Sequence, residues 1–444
     1  MKYFIFLTYI LIFTFLQAQG TDTLTVKQNE FVKVDSVKIT GNDVTKEFVI
    51  LRELTFSEGD SVDAKIIEYN RERVFSLGLF NRVEIILTKT NEFVTANIDL
   101  KETWYIFPLP YFENKGADFK RMRIGLYLLY KNFRGRNETI SSKVGFGYDP
   151  FYSVTFESPL LLEGTDIQFA AGFVNMKISN KSDILKAKLA SEGKGNFDYR
   201  AITGFTNFGR RLNKFNRVYL SLQYSYYEMP FHLDQATSSD GRIDRVFSSG
   251  LTYVFDTRDL VQNPSNGIYF TTSFTHSGFG VDDRKINKLS LDFRQYYKLA
   301  DNIFTKYRIY SRNIYGDNIP RYNYSYLGVH EFVRGHKNDQ REAKNLLFGS
   351  VELNYSILKE WNFSFKLPLL PEKLTTYRIG IMAKLFADFG TVFDHHSEIH
   401  FNGFDSGYGG GLLLLVLPHK AFRFEYAVNK YGKGEFILGA GFSF

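Results

Sequence analysis

Few residues in this 444-residue chain are arranged for chemistry, and cysteine is absent altogether. Thiol nucleophiles, structural disulfides, zinc–thiolate sites and a lipidated cysteine are therefore ruled out. No Gly-x-Ser-x-Gly, His-Glu-x-x-His or phosphate-cradling Gly-x-x-x-x-Gly-Lys sequence occurs. Asp394-His395-His396-Ser397-Glu398-Ile399-His400 contains metal-ligand residue types, but it falls between two strand patterns and reads as a solvated loop. Gly409-Gly410-Gly411, just before Leu412 to Leu415, reads as a strand bend and not a phosphate cradle. No catalytic residue, metal or cofactor is expected. What remains is charge recognition. Phe332-Val333-Arg334-Gly335-His336 lies in a polar, turn-rich insertion whose outer bounds are 316–345. A planar guanidinium grips carboxylates through a fixed fork of donors, which lysine cannot reproduce. An Arg-Gly pair is a weak motif by itself, so its meaning depends on the elements around it.

Those elements are strands. Val351, Leu353, Tyr355 and Ile357 alternate with Ser350, Glu352, Asn354 and Ser356. Tyr377, Ile379, Ile381, Ala383 and Leu385 alternate with Arg378, Gly380, Met382, Lys384, Phe386 and Asp388. Alternation over about ten residues, apolar outward and polar inward, marks a transmembrane barrel strand. About sixteen such segments follow one another from 104–112 to 434–444. The predicted fold class is thus a membrane β-barrel of antiparallel strands spanning 104–444. Phe (45) and Tyr (29) greatly outnumber Trp (2), which fits aromatic girdles. No run after residue 20 reaches the roughly 18 apolar residues of a spanning helix. The net charge of +7 is dispersed, without basic blocks, so nucleic acid is not an expected partner. Sixteen strands return the chain to the side it started from, placing the insertion at the far, extracellular end. By the same alternation Glu352 and Asp388 point into the lumen.

Before the barrel, Met1-Lys2 and the apolar run Phe4 to Leu16 lead to Ala18-Gln19-Gly20. This reads as a signal peptide over residues 1–20, cleaved after Ala18 or Gly20. Residues 21–32 lack periodicity and are expected to be a flexible leader. Residues 33–103 follow the order β-α-α-β-β. A strand ends at the Gly41-Asn42 turn, Asp63 caps a helix carrying Ile66, Ile67 and Val74, and Gly78-Leu79-Phe80 turns into two further strands.

Ile39-Thr40-Gly41-Asn42, Val49-Ile50-Leu51-Arg52-Glu53-Leu54, Glu58-Gly59-Asp60 and Leu77-Gly78-Leu79-Phe80 together resemble a polypeptide-transport-associated (POTRA) domain, a small α+β periplasmic module. One copy is present. Several barrel stretches resemble the BamA/TamA outer-membrane assembly superfamily, which includes two-partner-secretion transporters. Val333-Arg334-Gly335 looks like the Val-Arg-Gly-aromatic tip of that family's sixth extracellular loop, with His336 in the aromatic position. Asn132-Phe133-Arg134-Gly135-Arg136 and Phe255-Asp256-Thr257-Arg258-Asp259 with Pro264 and Gly267 are similar to its periplasmic turns. Ala387-Asp388-Phe389-Gly390-Thr391-Val392 is similar to its Phe-x-Asp-x-Gly-x-Val strand, with Ala387 taken as the replacement for the phenylalanine.

The resemblance implies that the loop folds back into the barrel and that Arg334 meets acidic residues on the next two strands, here Glu352 and Asp388. It also implies a weak seam between first and last strands. Pro108 and Pro110 cannot donate ladder hydrogen bonds, and Gly439 and Gly441 weaken a strand interior. Phe444, like Phe442, ends the chain as outer-membrane protein substrates end. The implied activity is folding and insertion of β-barrel proteins without nucleotide. The alternative is export of an unfolded passenger through the lumen. The implied partners are unfolded outer-membrane or secreted polypeptides, periplasmic chaperones or accessory subunits, and outer-membrane lipid. The implied location is a Gram-negative-type outer membrane.

Overall fold

Strict alternation dictates the larger part of the molecule. A strand whose odd and even residues differ in polarity must separate two environments. In the computed structural model, which describes residues 22–27, 29–114, 121–162, 164–279, 285–329, 331–336, 339–365, 375–417 and 420–441, these strands form one sixteen-stranded antiparallel sheet. The signal peptide and Phe444 lie outside the described residues.

The N-terminal domain comes first. Asp22–Leu24 (β1), Val32–Lys33 (β2) and Ser36–Thr40 (β3) precede helix Glu47–Leu51 (α1) and strand Ser61–Val62 (β4). Helix Ala64–Phe75 (α2) and strands Phe80–Thr90 (β5) and Phe93–Glu102 (β6) complete it. Its main sheet has the order β1-β5-β6-β3, with β3 parallel to β6. Helix α2 starts where Asp63 accepts a hydrogen bond from the backbone N–H of Ile66 at 2.8 Å. Gly41 adopts φ +80°, and a Cβ there would collide with the carbonyl of Leu100. Asn42 closes the same turn by donating to the Thr45 carbonyl at 3.0 Å. Gly78, at φ +66°, lets the chain leave α2 and enter β5, where Phe80 is fully buried.

Within the 21–32 segment, expected to be a flexible leader, residues 22–24 form a strand and residues 24 and 26 pack inward. Asp22, Thr23 and Leu24 pair with Lys89, Thr88 and Leu87, and Leu24 and Val26 pack on the domain's core. The free edge of β5 supplies backbone partners that no pattern within so short a segment could announce.

The barrel strands are Ile106–Asn114 (β7), Met122–Phe133 (β8), Glu138–Gly147 (β9), Phe151–Ser158 (β10), Ile167–Ser179 (β11), Asp198–Arg211 (β12), Asn216–Glu228 (β13) and Ile243–Asp256 (β14). Gly267–Ser277 (β15), Ile286–Ala300 (β16) and Ile303–Gly316 (β17) follow. A short hairpin, Ser325–Leu327 (β18) and Arg341–Ala343 (β19), interrupts the meander. Asn345–Ser364 (β20), Thr376–Phe393 (β21), Asp405–Leu417 (β22), Lys420–Asn429 (β23) and Gly434–Ala440 (β24) finish it. Leu251, Phe274, Ile309 and Leu385 are exposed on the outer face, as a lipid-facing surface requires. A helix absent from the sequence reading, Asp183–Ser191 (α3), is capped by Ser182 and buries Leu185 and Leu189.

Two further expectations are corrected. Gly409, Gly410 and Gly411 do not bend β22, since its pairing with β21 and β23 runs unbroken through them. Gly441 is not in a strand interior. It follows β24 with φ +107°, and its N–H donates to the Ala421 carbonyl at 2.7 Å.

Candidate functional site

The insertion between β17 and β20 enters the barrel, and at its tip sits Arg334, only 4% exposed. The position of the guanidinium follows from register. On β20 and β21 the lumen-facing residues are the even ones, so Ser350 stands opposite Asp388 and Glu352 opposite Phe386. Arg334 Nε and Nη2 donate to the two oxygens of Asp388, each at 2.6 Å. Nη1 donates to Glu352 Oε1 at 2.7 Å and to Glu425 Oε1 at 3.2 Å. Nη2 also reaches Ser350 Oγ at 3.1 Å. The guanidinium lies 3.6 Å from the centre of the Phe386 ring, a separation suited to cation–π attraction.

The structure thus brings Arg334, Glu352 and Asp388 together and adds residues the sequence reading did not single out. Glu425 on β23 and Lys384 on β21 join the cluster, which then sets two cations against three carboxylates. Lys384 Nζ contacts Glu425 and lies 3.3 Å from Glu352. Lumen parity was the available signal: Lys384 shares the face of Asp388, and Glu425 sits opposite the exposed Phe424 and Tyr426. Phe386 was also misassigned. The phenylalanine two positions before Asp388 is present, and it is the ring beneath Arg334, so Ala387 replaces nothing.

Neighbouring residues hold the tip. Val333 is fully buried among Leu327, Leu346 and Phe348. Gly335 (φ +93°) donates through its N–H to Glu435 at 3.1 Å and accepts from Asn429 at 2.9 Å. His336 contacts Asp339 at 2.8 Å and the Ser406 carbonyl at 3.2 Å. Gly407 and Gly409 leave the required space. A Cβ on Gly407 would strike the Arg334 carbonyl, and one on Gly409 would come within 2.8 Å of Phe386. Three residues before Arg334, Glu331 makes a second fork with Arg308 at 2.8 and 2.9 Å.

At the opposite mouth the POTRA-like domain docks through the two turn motifs. Gly135 accepts from the Lys46 N–H at 2.9 Å, and Asn132 donates to Thr45 Oγ1 at 2.9 Å. Val261 and Gln262, beyond the Phe255–Asp259 motif, donate to Ser76 at 3.0 and 3.1 Å. Arg378 of β21 grips both oxygens of Glu72 at 2.9 Å. Glu53 joins Arg73 of its own domain at 2.7 Å to Arg211 of the barrel at 2.6 Å.

Burial opposes the charge on Glu53, but the Arg211 and Arg73 guanidiniums outweigh it and hold the carboxyl below its ordinary value. A depressed folded-state value means this contact stabilises docking fully above the ordinary glutamate range and weakens as pH falls through the folded value. Amide exchange in the 212–215 turn of the intact protein should therefore stay protected from pH 7 to about 4.5 and rise below that. Glu53→Gln, which leaves both arginines without their counter-charge, should lose about 3 kcal/mol of protection at pH 7 and flatten this part of the profile.

Of the seam residues, Pro108 and Pro110 lie in β7 opposite Leu128 and Leu126, and Gly439 lies in β24 opposite Arg423. Among the described residues the sheet runs from β7 to β24 with no ladder joining these two strands. The Asp394–His400 segment is an exposed loop, and no metal-holding group of His, Asp and Glu forms among the described residues.

Fold and site define a class: a sixteen-stranded β-barrel carrying one docked α+β domain at one mouth, with a loop from the opposite mouth pinned inside the lumen by a buried arginine. The chain belongs to the Omp85 superfamily, whose domain model matches residues 132–444. The POTRA model, described as a surface antigen variable number repeat, matches residues 32–103. The barrel is therefore in a Gram-negative outer membrane with its POTRA domain in the periplasm. The outer membrane protein assembly factor BamA of Nitratidesulfovibrio vulgaris is 23% identical over 330 residues, covering 71% of this chain and 39% of that protein. The chain thus spans about two fifths of that relative's length. Haemophilus ducreyi BamA lacking POTRA domains 1–3 has a similar fold, with a TM-score of 0.53 at 13% identity over 95% of this chain and 88% of that one. CdiB from Escherichia coli is similar with a TM-score of 0.55, also at 13% identity, over 92% of this chain and 74% of that one.

Proposed function

We propose that this chain is an outer-membrane assembly factor that folds and inserts β-barrel polypeptides through the β7/β24 seam, without nucleotide. The observation that carries this reading is the sheet that ends at β7 and β24 with no ladder between them among the described residues. An edge strand offers unpaired N–H and C=O groups, and an unfolded client strand can add to it by β-augmentation. Insertion by strand exchange trades one set of backbone hydrogen bonds for another, so no nucleotide is required. Arg334, held by Glu352 and Asp388, acts as the anchor of a latch that keeps the barrel's shape while the seam works. The POTRA domain, 33–103, receives unfolded clients, periplasmic chaperones or accessory subunits before they reach the seam.

A second reading, export of one passenger polypeptide through the lumen, draws support from the fold shared with CdiB. The loop that fills the lumen around Arg334 weighs against it. Depletion of the protein followed by outer-membrane proteomics separates the two. Broad loss of barrel proteins is expected. Loss of a single secreted protein, with other barrels unchanged, would replace the assembly reading by the export reading.

A further inference from the structure

The docked POTRA domain and the barrel enclose a cavity of about 460 Å³ at the periplasmic mouth, and its lining is unbalanced in charge. Seven cationic side chains face three acidic ones. The acids are already committed. Glu53 is held between Arg73 and Arg211. Asp256 is shared by Arg217 and Arg258, and Asp259 is occupied by Ser265 and nearby backbone N–H groups. Arg52, Arg136 and Lys214 are left without a carboxylate partner among the described residues.

These three come from different places. Arg52 follows α1 in the POTRA domain, Arg136 sits in the β8–β9 turn and Lys214 in the β12–β13 turn. Arg52 and Arg136 each spend one nitrogen on backbone carbonyls, of Pro159 and of Leu160 and Leu161. Arg52 Nη2 and Arg136 Nε are buried with no hydrogen-bond partner among the described residues. Burial first, and then the neighbouring cations (Arg211 for Arg52, Arg73 with Arg211 for Lys214), outweigh the more weakly acting carboxylates Glu53, Asp166 and Asp60 and hold both groups below their ordinary values. Like charges on two docked bodies repel across a partly desolvated gap, and buried donors without acceptors are costly.

We propose that this cavity is a binding site for a phosphate-bearing anion that bridges the POTRA domain and the barrel. Its volume suits a headgroup-sized molecule more than a bare ion. Arginine forks converging from separate elements match the several oxygens of a phosphate group, whereas a single carboxylate would offset only one of three charges. The phosphate could belong to an anionic phospholipid headgroup or to a soluble compound of the periplasm, and the chemistry of recognition is the same.

The test uses the full chain in neutral detergent, with folding checked by heat-modified migration on gels. Pyrophosphate and short-chain phosphatidylglycerol are titrated separately by calorimetry. Saturable binding of at least one is expected, weakened at least tenfold in R52Q/R136Q, only partly restored in R52K/R136K, which keeps the charge but not the fork, and unchanged in K186Q/K188Q on α3. Tighter binding of phosphatidylglycerol assigns the site to a headgroup, and tighter binding of pyrophosphate to a soluble ligand. Binding of neither probe would overturn the site. An equal loss in K186Q/K188Q would do so too, because it would reduce the effect to net charge. Displacement of both probes by a glutamate-rich peptide that itself binds tenfold more tightly would make this a polypeptide site and refute the proposal.

Discussion

Replacing Arg334 by alanine is expected to destabilise the folded barrel by about 3–5 kcal/mol, the usual cost of removing one partner from a buried charge cluster. The substitution strands Asp388 without its fork and leaves Glu352 and Glu425, each under 4% exposed, with Lys384 as their nearest cation. The folded form should convert to the heat-denatured form on gels at a distinctly lower temperature, and protease should cut within 317–344. Arg334→Lys should recover little, because one ammonium cannot bond both Asp388 oxygens and also reach Glu352. Arg308→Ala makes a useful comparison. It breaks the Glu331 fork on the same loop but spares the Arg334 cluster, so the loop should loosen at one anchor only. Unchanged melting and proteolysis in Arg334→Ala would mean that the cluster does not restrain the loop.

The second large effect is expected at the seam. The chain has no native cysteine, so one cysteine placed in 106–114 and one in 434–440 form the sole possible disulfide. Once oxidised, this bridge should reduce insertion of an unfolded barrel client into liposomes by more than tenfold, and a reductant should restore it. The barrel itself should remain folded throughout. Full insertion by the oxidised protein would eliminate the seam as the route, whatever the latch does. The prolines in β7 fit a strand that is not paired on both sides, since each lacks the N–H that a second ladder would require.

How much of this was legible in the sequence differs by element, for physical reasons. Barrel strands announce themselves because each divides lipid from lumen, and that demand is written residue by residue. Thus β20 and β21 run through 350–357 and 377–388, the residues whose alternation marked them. The same parity aimed Glu352 and Asp388 inward. It aimed Lys384 and Glu425 inward as well, but periodicity alone does not say which of many lumen charges will meet. That depends on how deep the loop descends, a tertiary distance. Strand β1 was illegible because its order comes from the edge of β5 and not from its own pattern. Helix α3 had a visible cap in Ser182 and apolar positions at Leu185 and Leu189, but it is short and flanked by strand signals. The glycines of β22 were misread because glycine in a strand can mean a bend or an empty place. At Gly409 it means empty place, filled by Phe386.

The apolar core of the POTRA domain does not stop at residue 103. Val74, Phe75 and Leu79 belong to the same buried cluster as Leu260, Phe304, Met382, Leu415 and Leu417 of the barrel. Deleting the domain would therefore do more than remove a receiving module. It would uncover an apolar patch formed by Leu260, Phe304, Met382, Leu415 and Leu417, a surface prone to self-association. A truncated barrel that fails in the cell would then be ambiguous evidence about clients, since failure could arise from clumping during export. Domain swaps that keep Phe75, Leu79 and their contacts are the cleaner genetic tool.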